Sequence, residues 1–177
     1  MGIMAFEKKE IRVKHMELTY EQMTHDNLDE VRSIDRSDIP ESYVDTADTI
    51  MAITDYGLEN DLIGHSYAVR ADGKVIGMIM VGEAIVDPDI DPPQMQKEPF
   101  YRLLGFVIDR RYRGMGIGSR VMEEVIDIVY KDFGVRPISL GVHVGNDAAE
   151  RFYLRHGFQK TEYMESGDHY FLRYPVS

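Results

Sequence analysis

A strand–turn–helix unit in the second half of this 177-residue chain constrains its fold more than any other feature. Arg102 to Ile108 is an apolar run fit for a buried strand. Arg113-Gly-Met-Gly-Ile-Gly118 follows as a glycine-rich turn. Ile117, Val121, Val125, Ile128, Val129 and Phe133 then line one face of a helix, with Arg120, Glu123, Glu124, Asp127 and Lys131 off that face. Gly134 is a natural stop. Glycines let the backbone turn tightly and approach a ligand closely. The helix start leaves N–H groups without partners, and these donors and the helix dipole favour a bound phosphate.

The charges agree with an anionic ligand. Residues 102–120 hold Arg102, Arg110, Arg111, Arg113 and Arg120 against Asp109 alone, in a chain of net charge −11. A polyanion at the turn would explain this exception; the plainer alternative is a chain reversal with solvated arginines. The glycines do not follow the G-x-G-x-x-G spacing of a dinucleotide site, and no G-x-x-x-x-G-K-[ST] loop exists.

The remaining chain reads as α/β. Asp26–Arg36 and Thr46–Leu62 carry helical spacing, separated by the breaker Ser37-Asp-Ile-Pro-Glu41. Ser66–Ala71 and Lys74–Val86 read as strands joined at the hairpin signal Asp72-Gly73. Three prolines make residues 87–93 a loop. Pro137–Val144 is a strand, and Asp147-Ala-Ala-Glu150 starts a short helix that ends at Gly157. Phe158–Tyr163 and His169–Tyr174 close the chain as paired strands. Residues 1–23 mix strand-like and polar positions without clear ends. The expectation is one domain over 1–177, a central mixed, mostly antiparallel sheet flanked by helices, with residues 1–10 a candidate disordered arm.

Several function classes drop out. With no cysteine, disulfides, thiolate metal sites and a Cys nucleophile are excluded. No 18-residue apolar run and no signal-peptide pattern exist, so a cytoplasmic protein away from membranes is expected. The negative net charge argues against nucleic-acid binding. The histidines lack H-x-x-x-H spacing. Asp87, Asp89, Asp91 and Glu98 fit positions 1, 3, 5 and 12 of a calcium loop, but position 6 is Pro92 where glycine is required. No metal site is expected.

Phe106-Val-Ile-Asp-Arg-Arg-Tyr-Arg-Gly-Met-Gly-Ile-Gly118 resembles motif A of the GNAT N-acetyltransferase superfamily, with Arg113, Gly116 and Gly118 matching [RQ]-x-x-G-x-[GA]. Asn146-Asp-Ala-Ala149-Glu-Arg-Phe-Tyr153-Leu-Arg-His-Gly157-Phe158 resembles motif B in full. Arg110 stands where many relatives have proline. The resemblance implies acetyl-CoA as cosubstrate. It implies that Arg113, Gly114, Met115, Gly116, Ile117, Gly118 and Ser119 hold the pyrophosphate through backbone N–H groups. Phe106, Val107 and Ile108 would pair with the pantetheine arm, a backbone N–H of this strand would stabilise the oxyanion, and Asn146 and Ala149 would lie alongside. Tyr153 would protonate the departing thiolate. Read without the resemblance, Tyr153 is a core aromatic and Asn146 a helix cap.

The acceptor side carries less signal. An amine must lose its proton before it attacks, and Glu83 is the first candidate base; it reads equally as an exposed strand-end carboxylate. Residues 83–98 hold Glu83, Asp87, Asp89, Asp91 and Glu98 against Lys97, a rim that suits a cationic amine or is a solvated loop. Met78 and Met80 could face the groove. Ile76-Gly-Met-Ile-Met-Val-Gly82, with the motifs, is loosely similar to small bacterial spermine/spermidine acetyltransferases. The expected reaction is direct acetyl transfer in a ternary complex to a small-molecule primary amine. The alternatives are a protein or peptide N-acetyltransferase and an acyl-CoA-binding regulatory module. A homodimer through the C-terminal strands is compatible with the resemblance.

Overall fold

A computed structural model describes residues 16–176; the candidate arm at residues 1–10 lies outside them. Seven strands form one sheet in the order β1-β2-β3-β4-β5-β7-β6: β1 Leu18–Gln22, β2 Gly64–Ala71, β3 Lys74–Glu83, β4 Tyr101–Ile108, β5 Ile138–His143, β6 Gln159–Glu165 and β7 Asp168–Arg173. Every pairing is antiparallel except β4–β5. Four α-helices complete the α+β fold: α1 Leu28–Arg32, α2 Ala47–Glu59, α3 Ile117–Phe133 and α4 Asp147–Arg155.

Alternation along β3 and β4 sends side chains to two cores. Ile76, Ile79, Val81, Leu103 and Ile108 pack against Val121, Met122, Val125 and Val129 of α3. Met78 and Val107 face Ile50 and Met51 of α2 and Leu28 and Val31 of α1. Each such buried aliphatic side chain contributes about 1.5–3 kcal/mol. The sheet is thus clamped between α3 on one face and α1–α2 on the other, and the ends of β4 and β5 are free to shape a site.

Turn chemistry sets the strand ends. Asp72 and Gly73 have φ of 50° and 83°, the paired positive values of a tight hairpin turn that the Asp-Gly signal predicts. Ser166 and Gly167 repeat this with 49° and 90°, so the last hairpin closes there and β6 runs on to Glu165 rather than ending at Tyr163. Strand β3 stops at Glu83 instead of Val86. Ala84 N–H still reaches the Phe100 carbonyl at 2.9 Å, but Ile85 and Val86 leave the sheet and are exposed. Helix α1 is shorter than the expected 26–36, because Asp35 N–H is drawn to the Asp109 carboxylate at 2.9 Å and cannot continue a helix.

The acidic segment is not a plain solvated loop. Asp91 is buried and takes hydrogen bonds from Arg102 (2.6 Å), the Tyr170 hydroxyl (2.8 Å) and Asp87 N–H (2.8 Å). Its carboxylate anchors the 84–100 segment to β4 and β7.

Candidate active site

Strands β4 and β5 pair only at Tyr101↔Ile138 and Arg102↔Ser139. Beyond that they splay, and the later part of β4 has one edge without a β-strand partner. On its other edge β4 carries a bulge. Met78 pairs with Val107 and Met80 with Leu104, so three steps on β4 oppose two on β3. Gly105 sits in that bulge with φ 63°. A Cβ there would lie 2.5 Å from Ile50 Cγ1 of α2, so only glycine fits. A bulge at the open edge re-aims the backbone of Gly105 and Phe106 toward the cleft.

The glycine turn follows β4. Gly114 and Gly116 have φ of 74° and 79°, and open space lies where their Cβ atoms would project. Gly116 is the N-cap of α3 and supplies no side-chain cap. The first N–H groups of the helix, from Ile117 to Ser119, therefore remain available to an anion. Ser119 Oγ stands 2.9 Å from His156 Nε2 at the same mouth. A polyphosphate fits this donor set without any side-chain rearrangement.

The arginines around the turn do different work from the one their charge suggests. Arg113 binds the Ile108 carbonyl through Nε at 2.7 Å and Asp38 through Nη1 at 2.6 Å. Arg111 pairs with Asp109, Arg110 with Asp35, Arg102 with Asp91 and Arg120 with Glu124. The local excess of positive charge is neutralised by carboxylates, three of them outside the 102–120 window once Asp109 is set aside with Glu124. Anion binding at the turn falls mainly to backbone N–H groups. Asp109, fully buried, also accepts from Asp35 N–H and Arg111 N–H, and the Arg111 guanidinium holds its carboxyl well below the usual carboxylate range.

Helix α4 forms the far wall. Asn146 caps it by accepting from Ala149 N–H at 3.2 Å. Tyr153 packs edge-on against Phe152 and Phe158, with ring centroids 5.3 and 5.4 Å away. Burial pushes its phenol above the ordinary value, which keeps the proton on oxygen at neutral pH.

Two compartments meet at Tyr153. One groove is lined by Phe106, Val107, Ile108, Arg113, Gly114, Gly116, Gly118 and Ser119 together with Asn146, Ala149 and Tyr153. Met115 and Ile117 are absent from that lining. Met115 packs on the core and Ile117 is buried in it, so they offer the groove backbone only. The second compartment shares Tyr43, Val44, Phe106, Asn146, Ala149 and Tyr153 with the first. It adds Leu104, Gly105 and Gly141, and four carboxylates: Glu41, Asp45, Glu165 and Asp168. No lysine or arginine lines it.

Glu83 is not brought together with Tyr153. It lies at the end of β3, accepts Ile63 N–H at 3.1 Å, faces Arg136 at 3.7 Å, and lines a separate apolar pocket beside α2. Met80 lines that pocket too, whereas Met78 is buried under α2. The sequence reading missed Gly105, Gly141, Glu165 and Asp168. A glycine inside an apolar strand run signals a bulge and could have marked Gly105; the others lack a local signature.

The acetyltransferase (GNAT) family matches this chain over residues 28–158. The chain belongs to that family, and with it to the acetyl-CoA-dependent N-acetyltransferases. Among curated relatives, N-alpha-acetyltransferase 50 of Danio rerio is 33% identical over 84 residues, 48% of this chain and 47% of that protein. The chain thus spans about half the length of that relative. Spermine/spermidine N(1)-acetyltransferase of Bacillus subtilis (strain 168) is 26% identical over 147 residues, 81% of this chain and 89% of that protein. Among solved structures, the PaiA N-acetyltransferase of Thermoplasma acidophilum in complex with coenzyme A superposes with TM-score 0.63 at 16% identity, covering 90% of this chain and 100% of that one. At that identity the likeness concerns the fold. No helix of the described residues is long and apolar enough to cross a membrane. No group of three or more His, Asp or Glu side chains among them is placed to hold a metal ion.

Proposed function

We propose that this GNAT protein moves the acetyl group of acetyl-CoA to a primary amine of a small cationic molecule, a polyamine being the leading class. One observation carries the reading: Tyr153 separates a groove whose anion donors are backbone N–H groups from a pocket lined by four carboxylates and no basic side chain. A polyanionic donor suits the first compartment and a cationic acceptor suits the second.

The chain's own groups divide the work. Backbone N–H groups at 117–119 hold the pyrophosphate. The open edge of β4 at Phe106–Ile108 aligns the pantetheine arm, and the bulge at Gly105 turns a backbone N–H toward the acetyl oxygen, where negative charge develops. Asn146 and Ala149 border the arm. Tyr153, kept protonated by burial, gives its proton to the departing sulfur. The amine attacks directly, and no acyl-enzyme is required. Such an enzyme would work in the cytoplasm, where acetyl-CoA and polyamines meet.

A second reading, acetylation of a peptide α-amine, draws on the match to N-alpha-acetyltransferase 50. The two separate by experiment. Thiol release from acetyl-CoA is followed with spermidine, spermine, aminoglycosides, amino acids and N-terminal peptides. We expect steady turnover with the polyamines, about 100-fold lower in Tyr153→Phe at unchanged acetyl-CoA affinity. Preference for peptides moves the acceptor to the second reading. Loss of acetyl-CoA affinity with intact saturated turnover in Tyr153→Phe sinks the acid role of Tyr153.

A further inference from the structure

The reaction needs a group that removes a proton from the incoming ammonium, and Glu83 faces a different pocket. Each carboxylate of the acceptor pocket is a contender, and their surroundings differ. Glu41 and Asp45 belong to the connection between α1 and α2, at the outer side. Glu165 and Asp168 face each other in register across the β6–β7 hairpin.

Glu165 reaches deepest among the strands. A Cβ placed on Gly141 of β5 would lie 3.1 Å from its Oε2, so the glycine is what leaves room for this carboxylate beside the splay. Its Oε1 stands 3.6 Å from Arg102 Nη1, too long for a hydrogen bond. The short bond of Arg102, 2.6 Å, goes to Asp91 instead. Among the described residues, no donor hydrogen-bonds the Glu165 carboxylate. An ionisable group that is largely enclosed, lacks a hydrogen-bond donor and lines the cavity that holds Tyr153 is poised to accept a proton.

We propose that Glu165 is the proton acceptor for the amine, a catalytic residue that touches the ammonium group of the substrate. This rests on the acetyl-transfer reading above. The charged neighbours are named readily. Arg102 of β4 favours the carboxylate, while Asp91 before β4, Asp168 of β7 and Asp45 before α2 oppose it; Asp168 in turn faces His143 of β5. Burial is the largest influence and raises the proton affinity of Glu165.

The step balances. Glu165 takes one proton from R–NH3+, freeing the nitrogen lone pair. That pair forms the C–N bond to the acetyl carbon. The C–S bond breaks, its electron pair leaves on sulfur, and sulfur takes the phenolic proton of Tyr153. The surplus proton on the new amide nitrogen restores the phenol, and Glu165 passes its proton to water. The net change is ammonium plus thioester to acetamide, thiol and one proton.

The test uses the full chain and Glu165→Gln, with spermidine as acceptor. We expect kcat/KM to fall about 100-fold, the acidic limb of its pH profile to flatten, and acetyl-CoA binding to stay unchanged. With a weakly basic amine, already neutral at the assay pH, the deficit should shrink to less than about tenfold, because no base is needed. Thermal stability at neutral pH should not fall. A raised carboxyl pKa weakens the fold as pH climbs through it, and the neutral amide escapes that cost. An unchanged pH profile in Glu165→Gln overturns the proposal, and so does a deficit equal for weakly and strongly basic amines. Loss of the acidic limb in Glu83→Gln instead overturns it in favour of Glu83. If the unmodified chain turns over no amine while binding acetyl-CoA, the transfer reading fails, and the base assignment falls with it.

Discussion

The groove beside the glycine turn takes its lining from three stretches, 38–44, 106–119 and 146–155, and its anion donors come from consecutive backbone N–H groups. The pocket on the other side of Tyr153 draws on five stretches, 41–45, 103–106, 140–142, 146–153 and 165–168, and its chemistry is carried by side chains. The first can be written locally, because a glycine turn before a helix makes an anion site wherever it occurs. The second exists only once β4 and β5 have splayed and the last hairpin has folded beside them. Recognition by backbone tolerates substitution of nearby side chains. Recognition by carboxylates can be retuned one residue at a time without touching the donor side.

That contrast breaks most severely where the two compartments share a wall. Gly105→Ala puts a methyl group 2.5 Å from Ile50 Cγ1 and forces an alanine to φ 63°. The strain and the overpacking together should cost about 3 kcal/mol or more. Denaturant unfolding would measure the loss, and turnover should fall with it because both the bulge and α2 must shift. If stability drops while turnover per folded molecule is untouched, the bulge does not aim the backbone at the reacting carbonyl.

How far each side could be read from sequence follows the same division. The hairpin at Asp72-Gly73, the apolar strand before the glycine turn, the stripe of α3 and the cap at Asn146 are local patterns, and the structure realises all four. The five arginines show where local reading misleads. Counted along the chain they promise a phosphate cradle, yet four of them reach Asp35, Asp38, Asp91 and Asp109, and the fifth reaches Glu124. Partners up to 75 residues away in sequence cancel a charge that a window cannot balance. Glu83 shows the converse. It sits on the strand next to β4, but its side chain points to the pocket beside α2, away from Tyr153. Glu165 and Asp168 sit in a closing hairpin that carries no motif, and only the three-dimensional order β4-β5-β7-β6 brings them to the cleft.

Asp109 sharpens the donor side. It ties Asp35 of the α1–α2 connection to Arg111 at the entrance of the glycine turn. Its pKa is depressed, chiefly by the hydrogen bonds from Arg111, so it stabilises the fold above the unfolded value near 4 and loses this contribution as pH falls below that. Asp109→Asn should cost about 2 kcal/mol at pH 7, discounted because Arg111 is half exposed. Urea unfolding at pH 7 and at pH 3 would compare the two chains. The gap should narrow in acid, and acetyl-CoA binding should weaken while selectivity among amines stays put. A gap that is constant with pH would mean that the carboxylate's charge is not what anchors the turn.

The smallest expected effect lies in the acceptor pocket. Asp45 lines it from the α1–α2 connection, on the side away from α3, and contributes charge without belonging to the strands. Asp45→Asn should raise KM for a cationic amine about two- to fivefold, the scale of a partly exposed charge pair of 0.5–1 kcal/mol. The acetyl-CoA KM should not move, since backbone donors hold that ligand. Added salt should shrink the difference between the two chains, because an exposed charge is screened over about 10 Å at 0.1 M. The comparison is sharpest when a neutral acceptor is run beside the cationic one: equal changes for both would mean that Asp45 shapes the wall rather than attracts the substrate, and the pocket's negative lining would then no longer argue for a cationic amine.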